Sequence, residues 1–316
     1  MARHFLTLGD VSPAELAGLV SRAAELKRRP SAARRTLAGR VVALMFQKPS
    51  MRTRVSFEVG VARLGGSTIY LGDETVKLGE REPVKDVARG LSRYVDAVVL
   101  RTFSHRIVEE FAACAGVPVV NGLSDAAHPC QALGDLLTMR EHCGRLEGLR
   151  IAYVGDGNNV LHSLIEGCAM LGVHATVSTP EAYRPDAAVW TRVQALAARR
   201  GAELRWVPDP REAVRGARII YTDVWVSMGQ EEERQSRVKV FRPFQVDSAL
   251  VKRAAPECRV MHCLPAHRGE EITEEVIESA SSVVFDQAEN RLHAQNALML
   301  LLLGRGGRPR ARSVQR

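Results

Sequence analysis

The sequence predicts an α/β protein of two domains, each a parallel sheet with helices on both faces. Short runs rich in valine and isoleucine alternate along the chain with longer stretches of helical periodicity, an order typical of strand–helix–strand units. The length of 316 residues is sufficient for two hydrophobic cores. A helical pattern ends near Gly144 and a new strand–helix unit begins after Gly148, so we expect the domain junction between them. The predicted strands are 41–46, 96–100, 117–120, 151–154, 174–178, 218–222 and 259–263.

The first helix has a clear start signal. Ser12 is a preferred N-cap residue, Pro13 follows at the first helical position, and Glu15 is placed to close a capping box. We therefore predict a helix that begins at Pro13.

The positive charge of the chain is concentrated at one end. The formal net charge is +8, but the last thirteen residues carry five arginines and no acid, which leaves +3 for the rest. This Gly/Pro/Arg segment, 304–316, is typical of a disordered and solvated tail. It lacks the aromatic residues on which proteins that bind single-stranded nucleic acid stack the bases. We therefore expect no nucleic-acid partner. The alternative is a nucleotide- or nucleic-acid-binding protein that depends on the tail, and in that case deletion after Gly304 would abolish function.

Cysteine usage and hydropathy favour a cytoplasmic protein. Six cysteines are scattered without a CxxC pair, and the N-terminal residues lack the pattern of a secretory signal, so we expect reduced thiols. The longest apolar run, 297–303, is far shorter than the ~20 residues that cross a bilayer, so no membrane association is expected. His262 and Cys263 are adjacent, and adjacent side chains on a strand point to opposite faces, so we expect no metal.

An anion site is predicted at the start of the second helix. Ser50 is placed to cap this helix, and the first turn carries Arg52 and Arg54 but no acid. Cations at a helix N-terminus are unfavourable by about 0.3–1 kcal/mol each unless an anion is present. Backbone N–H groups, the hydroxyls of Ser50 and Thr53, and the guanidinium of Arg52 would together hold a phosphate. If only the two arginines are considered, the alternative interpretation of this turn is a solvated basic surface. The sequence has no GxxxxGK(S/T) motif, so the site is not a Walker loop.

Further polar residues stand at the ends of predicted strands, the edge where open parallel sheets bind ligands. Arg101 and Asp223 each follow a strand, and Cys263 ends one. His128 and Gln131 open a helix three positions apart, so they share a face and can reach one small ligand. We interpret these residues as one site.

A glycine-rich turn follows the strand at 151–154. It resembles a dinucleotide-binding turn, but the pattern is GxGxxV because Val160 stands at the third glycine position. The next strand, 174–178, does not end in the acid that would bind a ribose. NAD binding is therefore the minor interpretation, and no organic cofactor is expected.

Six segments taken together resemble the aspartate/ornithine carbamoyltransferase family. PSMRTRVSFE resembles the carbamoyl-phosphate signature of that family, and the others follow in family order between about Phe5 and Leu303. The resemblance implies transfer of the carbamoyl group of carbamoyl phosphate to the side-chain amine of L-ornithine, giving L-citrulline and phosphate. A related amine, such as putrescine or a modified ornithine, is the alternative substrate, and a catalytically silent paralogue is a third possibility. The segments are PSMRTRVSFE (49–58), HPCQ (128–131), GDGNNV (155–160), DVWVSMG (223–229), HCLPAHRGEEI (262–272) and ENRLHAQ (289–295).

The resemblance also implies the site residues and the assembly. Thr53, Arg101 and His128 are expected to donate hydrogen bonds to the carbamoyl oxygen. The family forms trimers in which a loop of the neighbouring subunit completes each site, and Lys77 lies in the corresponding segment. The implied catalytic residues are Arg101, His128, Cys263 and Arg291. The implied carbamoyl phosphate ligands are Ser50, Met51, Arg52, Thr53, Arg101, His128, Gln131, Cys263, Leu264 and Arg291. The implied ornithine ligands are Asn159, Asp223, Ser227 and Met228.

The resemblance implies a domain division and includes two departures. The expected parts are a carbamoyl phosphate domain (1–145), an ornithine domain (146–287), a helix that returns to the first domain (288–303) and the tail (304–316). Met51 replaces a threonine of the family pattern Ser-Thr-Arg-Thr-Arg, which removes a hydroxyl but keeps a backbone N–H. Lys77 stands where the family has a glutamine.

Overall fold

The computed structural model describes residues 2–226 and 231–304, without the side chains of residues 75 and 231. Two parallel sheets form its framework. The first has the strand order β2-β1-β3-β4, and the second has the order β7-β6-β5-β8-β9. The first sheet contains β1 (Val41–Phe46), β2 (Ser67–Gly72), β3 (Ala97–Arg101) and β4 (Val119–Leu123). The second contains β5 (Arg150–Val154), β6 (His174–Ser178), β7 (Leu204–Trp206), β8 (Ile219–Thr222) and β9 (Arg259–His262).

Helices follow most of the strands. The helices of the first half are α1 (Pro13–Arg28), α2 (Met51–Arg63), α3 (Asp73–Val76), α4 (Val84–Leu91), α5 (His105–Cys114) and α6 (Pro129–Cys143). Those of the second half are α7 (Asn159–Met170), α8 (Ala187–Arg199), α9 (Pro210–Ala213), α10 (Arg234–Phe241), α11 (Ser248–Val251), α12 (Glu274–Ile277) and α13 (Val284–Leu303). Short 3₁₀ helices occupy Leu8–Asp10, Pro30–Ala33, Glu181–Tyr183, Glu231–Glu233 and Arg242–Phe244.

The chain divides into two compact units. Unit 1 consists of Met1–Val11, Gly18–Cys130 and Leu292–Arg316, and unit 2 consists of Ser12–Ala17 and Gln131–Arg291. Unit 1 thus contains the first sheet and the C-terminal part of α13. The two parallel sheets and the return of the last helix confirm the predicted fold class.

Alternation along the strands explains why both faces of each sheet are covered. In β5, Ile151 and Tyr153 belong to one apolar cluster of unit 2, and Ala152 and Val154 belong to another. Successive side chains of a strand point to opposite faces, so each cluster packs on one face. All residues of β3 are buried.

The predicted start of the first helix is confirmed. The Ser12 N–H donates to Glu15 Oε2 at 2.9 Å, and the Glu15 N–H donates to Ser12 Oγ at 3.2 Å. These reciprocal bonds form the capping box that the sequence predicted.

Two strands were missing from the prediction. In the first four residues of the edge strand β2, exposed and partly buried positions alternate, and Ile69 is 47% exposed. The edge strand β7 has three residues, of which Arg205 is exposed. An edge strand with one face towards solvent has no continuous apolar run, which is why the pattern was not recognised.

The predicted basic tail, 304–316, lies outside the described residues except for Gly304. Across the described part of the chain, none of the helices has the length and hydropathy needed to span a bilayer.

Candidate active site

The N-terminus of α2 in unit 1 has the geometry of an anion site. Ser50 is the N-cap, and its Oγ accepts a hydrogen bond from the Thr53 N–H at 3.4 Å. The Ser50 hydroxyl also lies 3.0 Å from Thr53 Oγ1. The first turn contains no acid, as the sequence predicted. Its positive dipole end therefore has no negative side chain to neutralise it.

The two arginines of this turn differ in their contacts. Arg54 Nε lies 3.0 Å from Glu58 Oε1, and its guanidinium carbon lies 3.9 Å from the ring centroid of Tyr70. Arg52 is partly buried and has no hydrogen bond or ion pair with any residue that the structure describes. Arg54 is thus held by its own unit, and the Arg52 guanidinium is available for an external anion.

Met51 is the first residue of α2, and 71% of it is exposed. Its replacement of a threonine therefore removes a side-chain hydroxyl but leaves the backbone N–H at the first helical position. That N–H is one of the donors that an α-helix cannot satisfy internally.

Arg101 and His128 occupy the same end of the first sheet. Arg101 is the last residue of β3, pairs in register with Phe46 of β1, and is 8% exposed. The Gln47 N–H donates to the Arg101 carbonyl at 2.8 Å, which ties the loop before α2 to this strand end. His128 is 5% exposed and directly precedes α6. The order of the sheet reverses between β1 and β3, and such a switch point is where open α/β sheets bind ligands.

Lys77 lies on the surface of unit 1. It is the C-cap residue of α3, with a left-handed φ of 43°, and its side chain is exposed. Its contact with a neighbouring subunit stays a prediction.

In unit 2, three neighbouring strands present polar residues at their carboxyl ends. Asn158 follows β5, Asp223 follows β8 and Cys263 follows β9. Asn158 Nδ2 donates to Asp223 Oδ2 at 2.7 Å, and the Cys263 thiol donates to Asp223 Oδ1 at 2.9 Å. Asp223 is 4% exposed, and no cationic side chain in the described ranges forms an ion pair with it. A buried carboxylate held only by neutral donors is suited to a cationic ligand.

The Cys263 thiol is protonated in this arrangement. Burial and the neighbouring Asp223 carboxylate raise its pKa well above the ordinary value. A covalent mechanism through a thiolate is therefore disfavoured, because the thiolate is the nucleophilic form of cysteine.

The segment after β9 is held by hydrogen bonds to His262. The Leu264 N–H donates to His262 Nδ1 at 2.9 Å, so the ring proton must be on Nε2, which lies 3.1 Å from Glu271 Oε1. Leu264 has a φ of 57°, and the Leu264–Pro265 peptide bond is cis. These bonds fix the backbone at Leu264, one of the proposed ligands.

The premise used against a metal at His262 and Cys263 was wrong. Cys263 lies beyond the end of β9, so the alternation of a strand does not apply to it. Ligand atoms of Asp223, His262 and Cys263 lie within 4.8 Å of one another. Both ring nitrogens of His262 and the Cys263 thiol are nevertheless engaged in the hydrogen bonds described above.

The glycine-rich turn of unit 2 is filled by the protein itself. A Cβ on Gly157 would lie 2.5 Å from backbone atoms of Tyr183, Arg184 and Pro185. In a dinucleotide fold the second glycine leaves space for a pyrophosphate. Here the protein's own backbone occupies that space. Only glycine fits at position 157 for this reason, and no bound nucleotide is needed to explain it.

Gln131 and Arg291 are buried in unit 2. Gln131 lies in the first turn of α6, and its Nε2 donates to Asp135 Oδ1 at 2.8 Å. Arg291 lies on α13 and is 3% exposed. A Cβ on Gly134 would lie 3.0 Å from Arg291 Cγ, so α6 and α13 approach closely at this point. The Asn290 side chain donates to Thr138 Oγ1 at 3.0 Å and holds the same contact.

Comparison with protein families agrees with this geometry. Residues 3–141 match the aspartate/ornithine carbamoyltransferase carbamoyl-P binding domain, and residues 147–302 match the Asp/Orn binding domain of the same family. The chain belongs to the aspartate/ornithine carbamoyltransferase family.

Relatives in this family are similar over nearly the whole chain. An ornithine carbamoyltransferase of Acidothermus cellulolyticus is 53% identical over 307 residues, which cover 97% of this chain and 98% of the relative. One of Gloeobacter violaceus is 52% identical over 299 residues, which cover 95% of each chain. The solved structure of ornithine carbamoyltransferase from Pyrococcus furiosus is 49% identical, with a TM-score of 0.94 and coverage of 98% of both chains.

Two residues of this carbamoyltransferase family member were missed by sequence reasoning. Asn158 was passed over in favour of Asn159, which is the first residue of α7, yet Asn158 is the residue that contacts Asp223. Its place as the N-cap of α7 was a signal that could have drawn attention to it. Asp135 was also missed, because its partners are distant in sequence. Ser227 and Met228 lie outside the described residues.

Proposed function

We propose that this protein transfers the carbamoyl group of carbamoyl phosphate to the side-chain amine of L-ornithine, with L-citrulline and phosphate as products. The ornithine amine attacks the carbamoyl carbon, a tetrahedral intermediate forms, and the bond to the phosphate oxygen breaks. The substrate amine is itself the nucleophile, so the reaction needs neither an organic cofactor nor a covalent enzyme intermediate. Membership of the family and the names of the relatives support this reaction.

Carbamoyl phosphate would bind at the N-terminus of α2. Backbone N–H groups of the first turn, the Ser50 hydroxyl and the Arg52 guanidinium are the donors for the phosphate. The single observation that carries this assignment is the difference between the two arginines of one turn: Arg54 is paired, and Arg52 has no partner within the ranges that the structure describes. Met51 would contribute its backbone N–H.

The carbamoyl oxygen would be bound by Thr53, Arg101 and His128. Negative charge develops on this oxygen as the amine attacks, and fixed donors in a buried site stabilise it with little reorganisation. Burial of all three residues supports the role. The resemblance extends the set of carbamoyl phosphate ligands to Gln131, Cys263, Leu264 and Arg291.

Ornithine would bind at the carboxyl ends of β5 and β8. The Asp223 carboxylate, buried and without a cationic partner in the described chain, would pair with the α-ammonium group. Asn158, which already contacts this carboxylate, would hold it in place. Asn159, Ser227 and Met228 are proposed as further ornithine ligands on the basis of the resemblance.

The side-chain amine must lose a proton before it can attack. A lysine-like amine has a pKa of about 10.4, so in water it is almost entirely protonated at neutral pH. Arg52, Arg101 and Arg291 would disfavour a further cation at the reacting end of ornithine and lower the pKa of its amine. Activity should therefore increase as the pH rises above neutral.

The finer assignments of assembly and location follow from the resemblance. We propose a cytoplasmic homotrimer in which the loop around Lys77 contributes to the site of a neighbouring subunit. The exposed side chain of Lys77 is compatible with such a contact.

The function is tested by measuring citrulline and phosphate from carbamoyl phosphate with ornithine or putrescine between pH 6 and 9. We expect equal amounts of citrulline and phosphate, little product from putrescine, and a rate that rises with pH. A preference for putrescine would identify the alternative substrate. A rate that does not change with pH would contradict the proposed role of the neutral amine.

A further inference from the structure

A buried carboxylate with no assigned role lies one helical turn after Gln131. Asp135 is 0% exposed, and its carboxylate receives hydrogen bonds from three side chains of unit 2. Oδ1 accepts from Gln131 Nε2 and from Gln287 Nε2, both at 2.8 Å, and Oδ2 accepts from the Tyr221 hydroxyl at 3.1 Å. These donors come from α6, α13 and β8, so the carboxylate is held from three directions.

The partners of Asp135 are themselves fixed. Gln287 Oε1 accepts the His262 N–H at 2.9 Å, so the Gln287 amide has one possible orientation, with its NH2 group towards Asp135. Gln287 Nε2 also lies 3.1 Å from the Tyr221 hydroxyl. Gln287 and Tyr221 are therefore held in place opposite Asp135.

Asp135 determines which atom of Gln131 is available to a ligand. Oδ1 of Asp135 faces the fixed NH2 group of Gln287, so it acts as an acceptor whether or not Oδ2 carries a proton, and the Gln131 amide must direct its own NH2 group to it. The amide oxygen then points away from Asp135. Gln131 is 1% exposed, and its Oε1 is buried without a hydrogen-bond partner in the described chain. A buried acceptor without a partner is unfavourable, and a ligand that supplies an N–H group removes that cost.

We propose that Asp135 is a positioning residue that directs the Gln131 amide oxygen towards the bound acyl phosphate, and so makes the site select a carbamoyl NH2 group over an acetyl CH3 group. The inference rests on the proposed function, because it takes carbamoyl phosphate as the ligand of Gln131. Carbamoyl and acetyl phosphate have the same heavy-atom arrangement and differ only at this nitrogen. The NH2 group donates to Gln131 Oε1, and a methyl group leaves that oxygen unpaired.

The size of the effect follows from the cost of an unpaired buried acceptor. This cost corresponds to a preference for carbamoyl over acetyl phosphate of about tenfold or more. Loss of the Asp135 acceptor would let the Gln131 amide rotate and present its NH2 group, and the preference would fall.

The first experiment measures the dissociation constants of carbamoyl phosphate and acetyl phosphate by calorimetry, and takes their ratio. The variants are Asp135→Leu, which fills the space without an acceptor, Gln131→Ala, and the double variant. Asp135→Asn is the conservative variant, because its Oδ1 still accepts from Gln131 while its NH2 group faces the Tyr221 hydroxyl. Tyr221→Phe is the matched control, because it removes a donor to Asp135 without touching the Gln131 contact.

We expect D135L to lower the ratio about tenfold, to the level of Q131A, and the double variant to show no further loss. D135N and Y221F should keep the wild-type ratio. A merely structural role would lower the stability or both affinities in D135L but would leave the ratio unchanged, and this result would overturn the proposal. Additive losses in the double variant would also contradict it.

A second measurement does not depend on the folding of a variant. In a crystal structure of the wild-type protein with the phosphonate analogue of carbamoyl phosphate, Gln131 Nε2 should remain on Asp135 and Oε1 should lie within hydrogen-bond distance of the ligand NH2 group. Gln131 turned away from Asp135 would refute the inference. If the wild-type protein neither binds carbamoyl phosphate nor forms citrulline, the proposed function fails instead, so the two failures are distinguishable.

Discussion

The two units of this molecule use the same topological position for different chemistry. In unit 1 the sheet order reverses between β1 and β3, and in unit 2 it reverses between β5 and β8. The residues that follow these strands are arginine, histidine and hydroxyl groups in unit 1, and aspartate and asparagine in unit 2. The first set suits an anion and the second suits a cation. The fold thus determines where the ligands bind, and the side chains determine their charge.

The two sites differ in how they are built from the sequence. The anion site of unit 1 depends on one continuous segment, Ser50–Thr53, at the start of a helix. The carboxylate site of unit 2 depends on Asn158, Asp223 and Cys263. Asn158 precedes Asp223 by 65 positions in the sequence, and Cys263 follows it by 40. A local site can be read from a short motif, whereas a dispersed one requires the strand order.

The largest expected effect separates the two substrates. Asp223→Asn removes the negative charge proposed to pair with the α-ammonium of ornithine, so the KM for ornithine should rise about a hundredfold. The dissociation constant of carbamoyl phosphate, measured by calorimetry, should stay within about twofold of the wild-type value. An equal loss for both substrates would show that Asp223 does not distinguish them.

A smaller effect tests whether Asn158 or Asn159 contributes to ornithine binding in unit 2. Asn158→Ser keeps an N-cap oxygen for α7 but removes the Nδ2 donor to Asp223, so stability should be retained while the KM for ornithine rises about tenfold. Asn159→Ser is the companion variant at the neighbouring position, which is itself a proposed ornithine ligand. An unchanged KM in N158S, with a large increase in N159S, would favour direct contact through Asn159 and would remove Asn158 from the site.

The smallest effect concerns stability and pH in unit 2. Burial raises the pKa of Asp135 from 3.8 to about 7, although its side-chain hydrogen bonds and Arg291 act in the opposite direction. The native state therefore holds this proton more tightly than the unfolded state. The contribution of Asp135 to stability is complete below about pH 4 and is lost as the pH rises through about 7.

Asp135→Asn abolishes this titration. Relative to the wild-type protein, D135N should gain at least about 1 kcal/mol in unfolding free energy between pH 5 and pH 8. Tyr221, Cys168 and Cys263 sense the charge of Asp135, and all three have raised pKa values and stay neutral in this range. The guanidinium of Arg291 is charged throughout, as arginine is in proteins. Urea unfolding at one protein concentration measures the difference, and a difference independent of pH would argue against a raised pKa at Asp135.

Much of the fold followed from sequence patterns, and the failures have local causes. The continuous apolar runs of the central strands and the capping box at Ser12 were recognised because each is a contiguous pattern. The edge strands β2 and β7 were missed because solvent on one side interrupts their apolar pattern. Asp135 has no local signature at all, since its role depends on Tyr221 and Gln287, which are 86 and 152 positions away.

The central claim concerns the N-terminus of α2, where Arg52 is expected to meet the phosphate of carbamoyl phosphate. The most direct measurement is the calorimetric affinity for carbamoyl phosphate in Arg52→Ala, with Arg54→Ala as the control from the same helical turn. We expect R52A to lose about a hundredfold or more in affinity with its unfolding transition intact, and R54A to lose far less. Wild-type affinity in R52A, or an equal loss in both variants, would contradict the account.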